Sequence, residues 1–320
     1  MPGKALLTGC TGFVGRPLLA RLSTDGFSLV ACSRTSISEL PASTTNALIS
    51  TIDGVTDWQA ALAGVEWVIH SAARVHVMND QSADPLAEFR KVNVEGTLNL
   101  AHQAAAAGVK RFIFISSIKV NGEGTPVGSP YIADAQPAPA DPYGISKMEA
   151  EQGLRGIAAE TGMEVVIIRP PLVYGPGVKA NFFSMMCWLK KGVPLPLGAI
   201  HSRRSLVALD NLMDLIVTCI DHPAAANQTF LVSDGEDLST SQLLRRMGQA
   251  LGRPARLLPV PAWMLESAAA LLGKKAIAQR LCGSLQVDIG KTRELLGWSP
   301  PVSVDEALRK TAEHFLQHRA

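Results

Sequence analysis

The chain has 320 residues, enough for one large or two modest domains, and 47% hydrophobic against 18% charged residues supplies ample material for a buried core. A formal net charge of +2, with Lys and Arg dispersed and no basic stripe interleaved with aromatics, argues against a nucleic-acid partner. Cys10, Cys32, Cys187, Cys219 and Cys282 form no Cys-x-x-Cys pair, so small buried thiols in a reducing, cytoplasmic setting fit better than a disulfide frame or any metal site.

An apolar strand is expected at 5–8, then the turn Thr8-Gly9-Cys10-Thr11-Gly12-Phe13-Val14-Gly15 and a helix at 14–24. In a dinucleotide-binding turn of this kind Gly9 bends tightly, Gly12 lets the backbone approach a pyrophosphate, and Gly15 lets the helix pack on its strand. The helix start near Phe13 then aims free N–H groups and its positive dipole end at the anion. A plain strand-turn-helix corner would read the same way, so the assignment depends on partners further along. The glycines also interrupt the apolar run too early for a signal peptide.

Strands expected at 28–32, 47–52, 66–71, 111–116 and 164–169 alternate with helices at 57–63, 86–107 and 143–161, which implies a doubly wound α/β fold with a parallel sheet. Ligands in such folds lie beyond the carboxyl ends of the strands, where Gly9, Ser33, Asp53, Ala72 and Ser117 all fall. Residues 1–172 are assigned to this Rossmann unit, with 205–233 returning to it, and 173–320 mainly to a smaller substrate-binding lobe across a cleft. In the lobe, Gly175-Pro176-Gly177 and the stretch from Pro194 to Gly198 break the pattern before helices at 210–221, 239–251 and 304–318. The most apolar late stretch, Ala262 to Leu272, is interrupted by Glu266 and followed by Gly273-Lys274-Lys275. It is too short to cross a bilayer and is expected to be a core-packing helix, with weak membrane contact as the alternative.

Tyr143-Gly144-Ile145-Ser146-Lys147 opens the helix expected at 143–161, and its spacing puts phenol and ammonium on one helical face. A fixed positive charge favours the phenolate, so the pair can serve acid-base chemistry; alone, it is equally an ordinary solvated pair. The strand Arg111-Phe112-Ile113-Phe114-Ile115 ends in Ser116-Ser117 at the ligand edge, where Ser117 can hydrogen-bond a substrate oxygen.

Together with Asn93-Val94-Glu95-Gly96-Thr97-Leu98-Asn99-Leu100 and Arg169-Pro170-Pro171-Leu172-Val173-Tyr174-Gly175-Pro176, these motifs resemble the extended short-chain dehydrogenase/reductase family over nearly the whole chain. The resemblance implies that Tyr143 donates or accepts the proton, that Lys147 holds the nicotinamide ribose and lowers the tyrosine pKa, and that Ser117 orients the sugar oxygen. It places the cofactor against Gly9, Thr11, Gly12, Phe13, Val14, Ser33, Arg34, Asp53, Ala72, Tyr143, Lys147 and Leu172. Asn93 reads either as a helix residue satisfying backbone groups or as a residue that keeps the active-site geometry.

NAD enzymes of the family usually carry a carboxylate at the end of the second strand, and this chain has Ser33-Arg34 there. A hydroxyl beside a guanidinium suits a 2′-phosphate, so NADP(H) is favoured over NAD(H), while Asp53 is expected to accept from the adenine amino group. Arg203-Arg204-Ser205-Leu206-Val207-Ala208-Leu209-Asp210 resembles the diphosphate-gripping segment of sugar-nucleotide enzymes, with Arg204 as the contact and Asn181 assisting. Ile118 and Lys119 follow Ser117 where a 4,6-dehydratase would carry Asp and Glu, which disfavours dehydration. The stretch from Gly175 to Gly198 and the tail Lys291-Thr292-Arg293-Glu294-Leu295-Leu296-Gly297-Trp298-Ser299-Pro300 point, by resemblance, to a 4-ketoreductase yielding UDP-N-acetylquinovosamine for surface polysaccharide. A UDP-N-acetylglucosamine or UDP-glucose 4-epimerase is the alternative, and an NADP-sensing regulator a more distant one. The partners implied are a UDP-sugar and, as a family expectation, a second copy in a homodimer.

Overall fold

The computed structural model describes residues 3–75, 84–273, 279 and 281–318. Strands β1 (Lys4–Thr8), β2 (Ser28–Ser33), β3 (Thr44–Leu48), β4 (Trp67–His70), β5 (Arg111–Ile115), β6 (Glu164–Arg169) and β9 (Thr229–Leu231) form a seven-stranded parallel sheet in the order β3-β2-β1-β4-β5-β6-β9. Successive side chains of a strand point to opposite faces, so neighbours feed different cores. Leu7, Ile113 and Ile115 pack with Leu18 and Leu22 of α1 (Gly15–Thr24) and with Leu212 and Ile216 of α7 (Leu209–Asp221). Leu6, Phe112 and Phe114 pack on the other face with Leu100 and Ala104 of α4 (Thr97–Ala106) and Leu154 and Ile157 of α5 (Pro142–Thr161). Burial on both faces is why these strands read as unbroken apolar runs, and each buried Leu or Phe contributes roughly 1.5–3 kcal/mol.

Strand β7 (Leu172–Tyr174) begins just after β6 and starts a second, three-stranded sheet in the order β10-β8-β7, with β8 (Arg204–Ala208) and β10 (Asp237–Leu238). Helices α6 (Ala180–Lys191) and α8 (Thr240–Ala250), and the helix Val304–Gln317, close a third core around it. Ser239 and Gln242 cap α8 reciprocally, Gln242 N donating to Ser239 Oγ at 3.1 Å and Ser239 N to Gln242 Oε1 at 2.8 Å. Within 205–233, α7 and β9 pack on the large sheet, whereas β8 lies in the small one.

Several expectations need correction. Strand β3 ends at Leu48 instead of running over 47–52. The single helix expected at 86–107 is three segments: α3 (Pro85–Arg90), a π-helical turn Lys91–Gly96, and α4. Helix α1 starts at Gly15, two residues later than the turn suggested. Helix α6, the helix Gly290–Leu296 and the short strands of the second sheet carry no signal that the sequence reading used. The stretch read as a core-packing helix is helical as α9 (Ala262–Leu271); Ala262 and Leu265 pack half-buried against the lobe core, while no residue of the helix is fully buried.

Candidate active site

The glycine turn is locked by contact. Gly9 has φ +71°, which L side chains rarely adopt, and a Cβ at Gly15 would stand 2.1 Å from the Gly9 carbonyl oxygen. Gly12 N donates to Gly9 O at 2.9 Å, leaving Thr11 and Gly12 exposed at the carboxyl end of β1. Half-buried Phe13 packs against both the large-sheet and the small-sheet cores, and Val14 forms the N-cap of α1. Ala72 follows β4 and donates its N–H to Thr8 Oγ1 at 3.2 Å. That hydroxyl lies 2.8 Å from His70 Nδ1, and His70 Nε2 lies 3.0 Å from Thr97 Oγ1. Thr8, His70 and Thr97 thus form one buried chain whose direction follows the imidazole tautomer. Burial and the neighbouring Lys147 push the His70 pKa down to about 3, so the imidazole is neutral.

Strand β5 ends in two hydroxyls with opposite fates. Ser116 turns inward and donates to Glu151 Oε1 at 2.5 Å, while half-buried Ser117 accepts Lys119 N at 3.2 Å in the turn that follows. Asp141 caps α5 by accepting Gly144 N at 2.7 Å and pairs with Lys119. Tyr143, one residue into that helix, has its pKa raised to about 12 by burial and by the Asp141 charge, with the Ser117 side chain opposing the rise. Lys147 is buried, donates to the Ile115 carbonyl at 2.8 Å and lies 4.3 Å over the Phe114 ring; burial pushes its pKa down to about 7. The expected depression of the Tyr143 pKa by Lys147 is therefore absent here. The ammonium is turned to β5, and the charge acting on the phenol is Asp141.

The π-helical turn places Asn93 where it joins two elements: its amide nitrogen donates to Arg74 O and Ser146 Oγ, both at 3.0 Å, and its oxygen accepts Arg74 N at 2.8 Å. Ser146 Oγ in turn donates to the Tyr143 carbonyl at 2.8 Å. A wide turn of this kind in a helix is a frequent mark of a functional site.

The end of β2 carries Ser33 and Arg34, the two residues read as a 2′-phosphate site. The Ser33 hydroxyl donates to Thr35 O at 2.6 Å and accepts Asn46 Nδ2 at 2.7 Å, so its one proton is already used. Arg34 is exposed. Asp53 Oδ1 accepts Val55 N at 3.1 Å and Thr56 Oγ1 at 2.9 Å, and these bonds hold its pKa below the ordinary carboxylate value.

The remaining residues come from the small sheet. Exposed Leu172 starts β7, directly after the Pro170 carbonyl that accepts Ile118 N at 3.0 Å beside Ser117. β7 pairs with β8 in the register Leu172↔Leu206, which brings Arg204 to the same sheet; Arg204 Nη1 donates to Gly283 O at 3.0 Å. Asn181 is exposed in the first turn of α6, after Ala180 at φ +54°.

Two buried networks have no counterpart in the sequence reading. Arg169 donates to both oxygens of Glu151, at 2.9 and 2.6 Å, and to Asn121 Oδ1 at 3.0 Å. In the lobe, Tyr174 Oη donates to Asp234 Oδ2 at 2.8 Å, while Asp234 Oδ1 accepts Ala208 N and Asn211 Nδ2, both at 2.7 Å. Burial raises the Asp234 pKa against these bonds. A sequence signal existed only for the acid 18 positions before an arginine at a strand end, which is too weak to single out.

Comparison with known proteins places this architecture. A model of the NAD dependent epimerase/dehydratase family matches residues 5–233. Over 320 residues the chain is 51% identical to a UDP-glucose 4-epimerase of Vibrio cholerae, spanning 99% of this chain and 97% of that protein. The solved UDP-glucose 4-epimerase of Thermotoga maritima with UDP-glucose superposes with a TM-score of 0.77 at 23% identity, over 99% of this chain and 100% of that one. The Bacillus cereus UDP-glucuronic acid 4-epimerase in complex with NAD gives 0.77 at 18% identity, with the same 99% and 100% coverage. At these identities the two structures speak to the shared fold.

Proposed function

The chain belongs to the NAD dependent epimerase/dehydratase family, and from that premise we propose that it is an NAD-dependent 4-epimerase of a UDP-hexose. The observation that carries the choice is the 51% identity, end to end, with a protein named as a UDP-glucose 4-epimerase. The ketoreductase expectation rested on Ser33-Arg34 as an NADP clamp, and the Ser33 proton is spent on Thr35. The UDP-N-acetylquinovosamine branch, read from the Gly175–Gly198 stretch and the tail, has less support than an epimerase 51% identical over the whole chain. NAD, carried by the Bacillus cereus epimerase, is the cofactor this reading takes.

The residues suit such a dinucleotide. The crowded cradle at Gly9 and Gly15 leaves room for backbone only, and the Thr11, Gly12, Phe13 and Val14 segment meets the start of α1, where free N–H groups favour a pyrophosphate. Asp53 would meet the adenine, Ala72 and Leu172 would flank the bound chain, and Lys147 would hold the nicotinamide ribose. The nicotinamide supplies a hydride acceptor and donor at C4 of the hexose.

The protein's own part is proton handling and orientation. As a phenolate, Tyr143 Oη would take the proton of the C4 hydroxyl and the resulting phenol would return it, while the Ser117 hydroxyl would donate to O4 as charge develops there. Lys147 and Asn93 hold that end of α5 in place, while Arg204 and Asn181 grip the diphosphate. Retention of both Tyr143 and Lys147 disfavours a sensor without chemistry.

Interconversion of UDP-glucose and UDP-galactose by purified protein, with no net change in nicotinamide absorbance, is the expected result. Stoichiometric NADPH loss with a UDP-4-keto sugar and no interconversion would replace this reading with the reductase.

A further inference from the structure

The dispersal of Lys and Arg over the whole chain hides a local imbalance. The stretches 179–204 and 245–273 carry nine basic residues and one acid, Glu266, on a chain whose net charge is only +2. The fold brings these stretches together. Residues 195–199 run beside 257–261 through the bridges Leu195↔Leu257 and Ala199↔Pro261, and Arg253 Nη1 donates to Lys190 O at 3.0 Å. Among the described residues, exposed Lys190, Lys191, Arg253 and Arg256 make no ion pair.

Helix α9 leaves this strip directly after Pro261. It buries no residue, and it presents Trp263 at 67% and Leu271 at 89% exposure, with Met264, Leu258 and Leu272 also exposed. Ala262 and Leu265 pack on the lobe core, so it is the opposite face, with Trp263, Met264 and Leu271, that is left to cover. Its ten residues span about 15 Å, half of a bilayer's hydrocarbon thickness, and no described helix is long and apolar enough to cross a membrane.

We propose that α9 and the basic strip beside it form a docking surface for an anionic phospholipid bilayer, with Trp263 and Leu271 entering the headgroup boundary and Lys190, Lys191, Arg253 and Arg256 facing the lipid phosphates. Trp and Leu on a short helix that continues from a strip rich in lysine and arginine are the composition of an interfacial segment. Charge also selects the occupant: pairing this face with a second copy about a two-fold axis would bring cations against cations. The inference concerns where the protein sits and does not depend on its substrate.

Sedimentation with vesicles tests it without any activity readout. The protein is expected to pellet with phosphatidylcholine vesicles containing phosphatidylglycerol, at least tenfold more tightly than with phosphatidylcholine alone, and to release as salt is added. Each basic residue removed should weaken binding about fivefold, so Lys191→Gln with Arg256→Gln loses about 25-fold. Trp263→Ser with Leu271→Ser should abolish binding at unchanged circular dichroism. Equal partitioning to both vesicle types, or variants that bind as well as the parent, overturns the proposal. So does a concentration-dependent dimer in sedimentation velocity that Trp263→Ser dissociates, which would assign the face to a second copy.

Discussion

Glu151 and Arg169 meet as a two-pronged ion pair, 2.6 and 2.9 Å between charged groups, with side chains 0% and 2% exposed, and the carboxylate also accepts the Ser116 hydroxyl. The pair ties α5, which carries Tyr143, to β6 and to the end of β5. A buried charge left without its partner is far more costly than a matched pair is beneficial. Glu151→Ala is therefore expected to lower unfolding free energy by about 3–5 kcal/mol in urea, whereas Glu151→Leu with Arg169→Met should recover most of it. A loss below ~1 kcal/mol for the single variant would show that the pair is not sealed from water.

Tyr143→Phe removes one oxygen from the site and nothing from the helix. Turnover should fall by about 10²–10⁴-fold, with the circular dichroism spectrum and thermal midpoint retained. Ser117→Ala, which removes one hydrogen-bond donor to the developing oxyanion, should lower kcat by about 10²–10³-fold. Unchanged kcat in the Tyr143 variant would dismiss its proton-transfer role.

Cofactor preference follows from the engaged Ser33 hydroxyl. Titration calorimetry is expected to give tighter binding of NAD than of NADP, and Arg34→Ala to change the ratio by less than about threefold, an exposed guanidinium being worth little alone. Tighter NADP binding that Arg34→Ala abolishes would restore the 2′-phosphate clamp.

His70 makes stability depend on pH in one direction. Its folded pKa of about 3 lies below the ordinary 6.5, so the unfolded chain binds the extra proton between those values. The His70 contribution is full above pH 6.5 and is lost progressively as pH falls toward 3, by roughly 3–5 kcal/mol. Urea midpoints measured across that range should fall steeply for the parent chain and less for His70→Gln, which keeps a polar group between Thr8 and Thr97.

The cofactor half was legible because its physics is local. Buried parallel strands such as Arg111–Ile115 write themselves as apolar runs, Gly9 and Gly15 are demanded by backbone contact, and Tyr143 and Lys147 share one helix. The lobe was not, since β7 has three residues and β10 two, too few to show a period. Long-range pairing was equally hidden. Asn46 engages Ser33 from 13 residues away, and Tyr174 meets Asp234 across 60. The π-helical turn at Lys91–Gly96 has the composition of the helix around it. In α9, the misreading came from equating greasiness with concealment.

The carbonyl of Pro170 holds the backbone beside Ser117, and the chain passes from that proline almost at once into β7, the strand that leads to Arg204 through β8. If Arg204 holds the diphosphate and Ser117 the reacting alcohol, as proposed, one short stretch of main chain joins the two ends of the bound molecule.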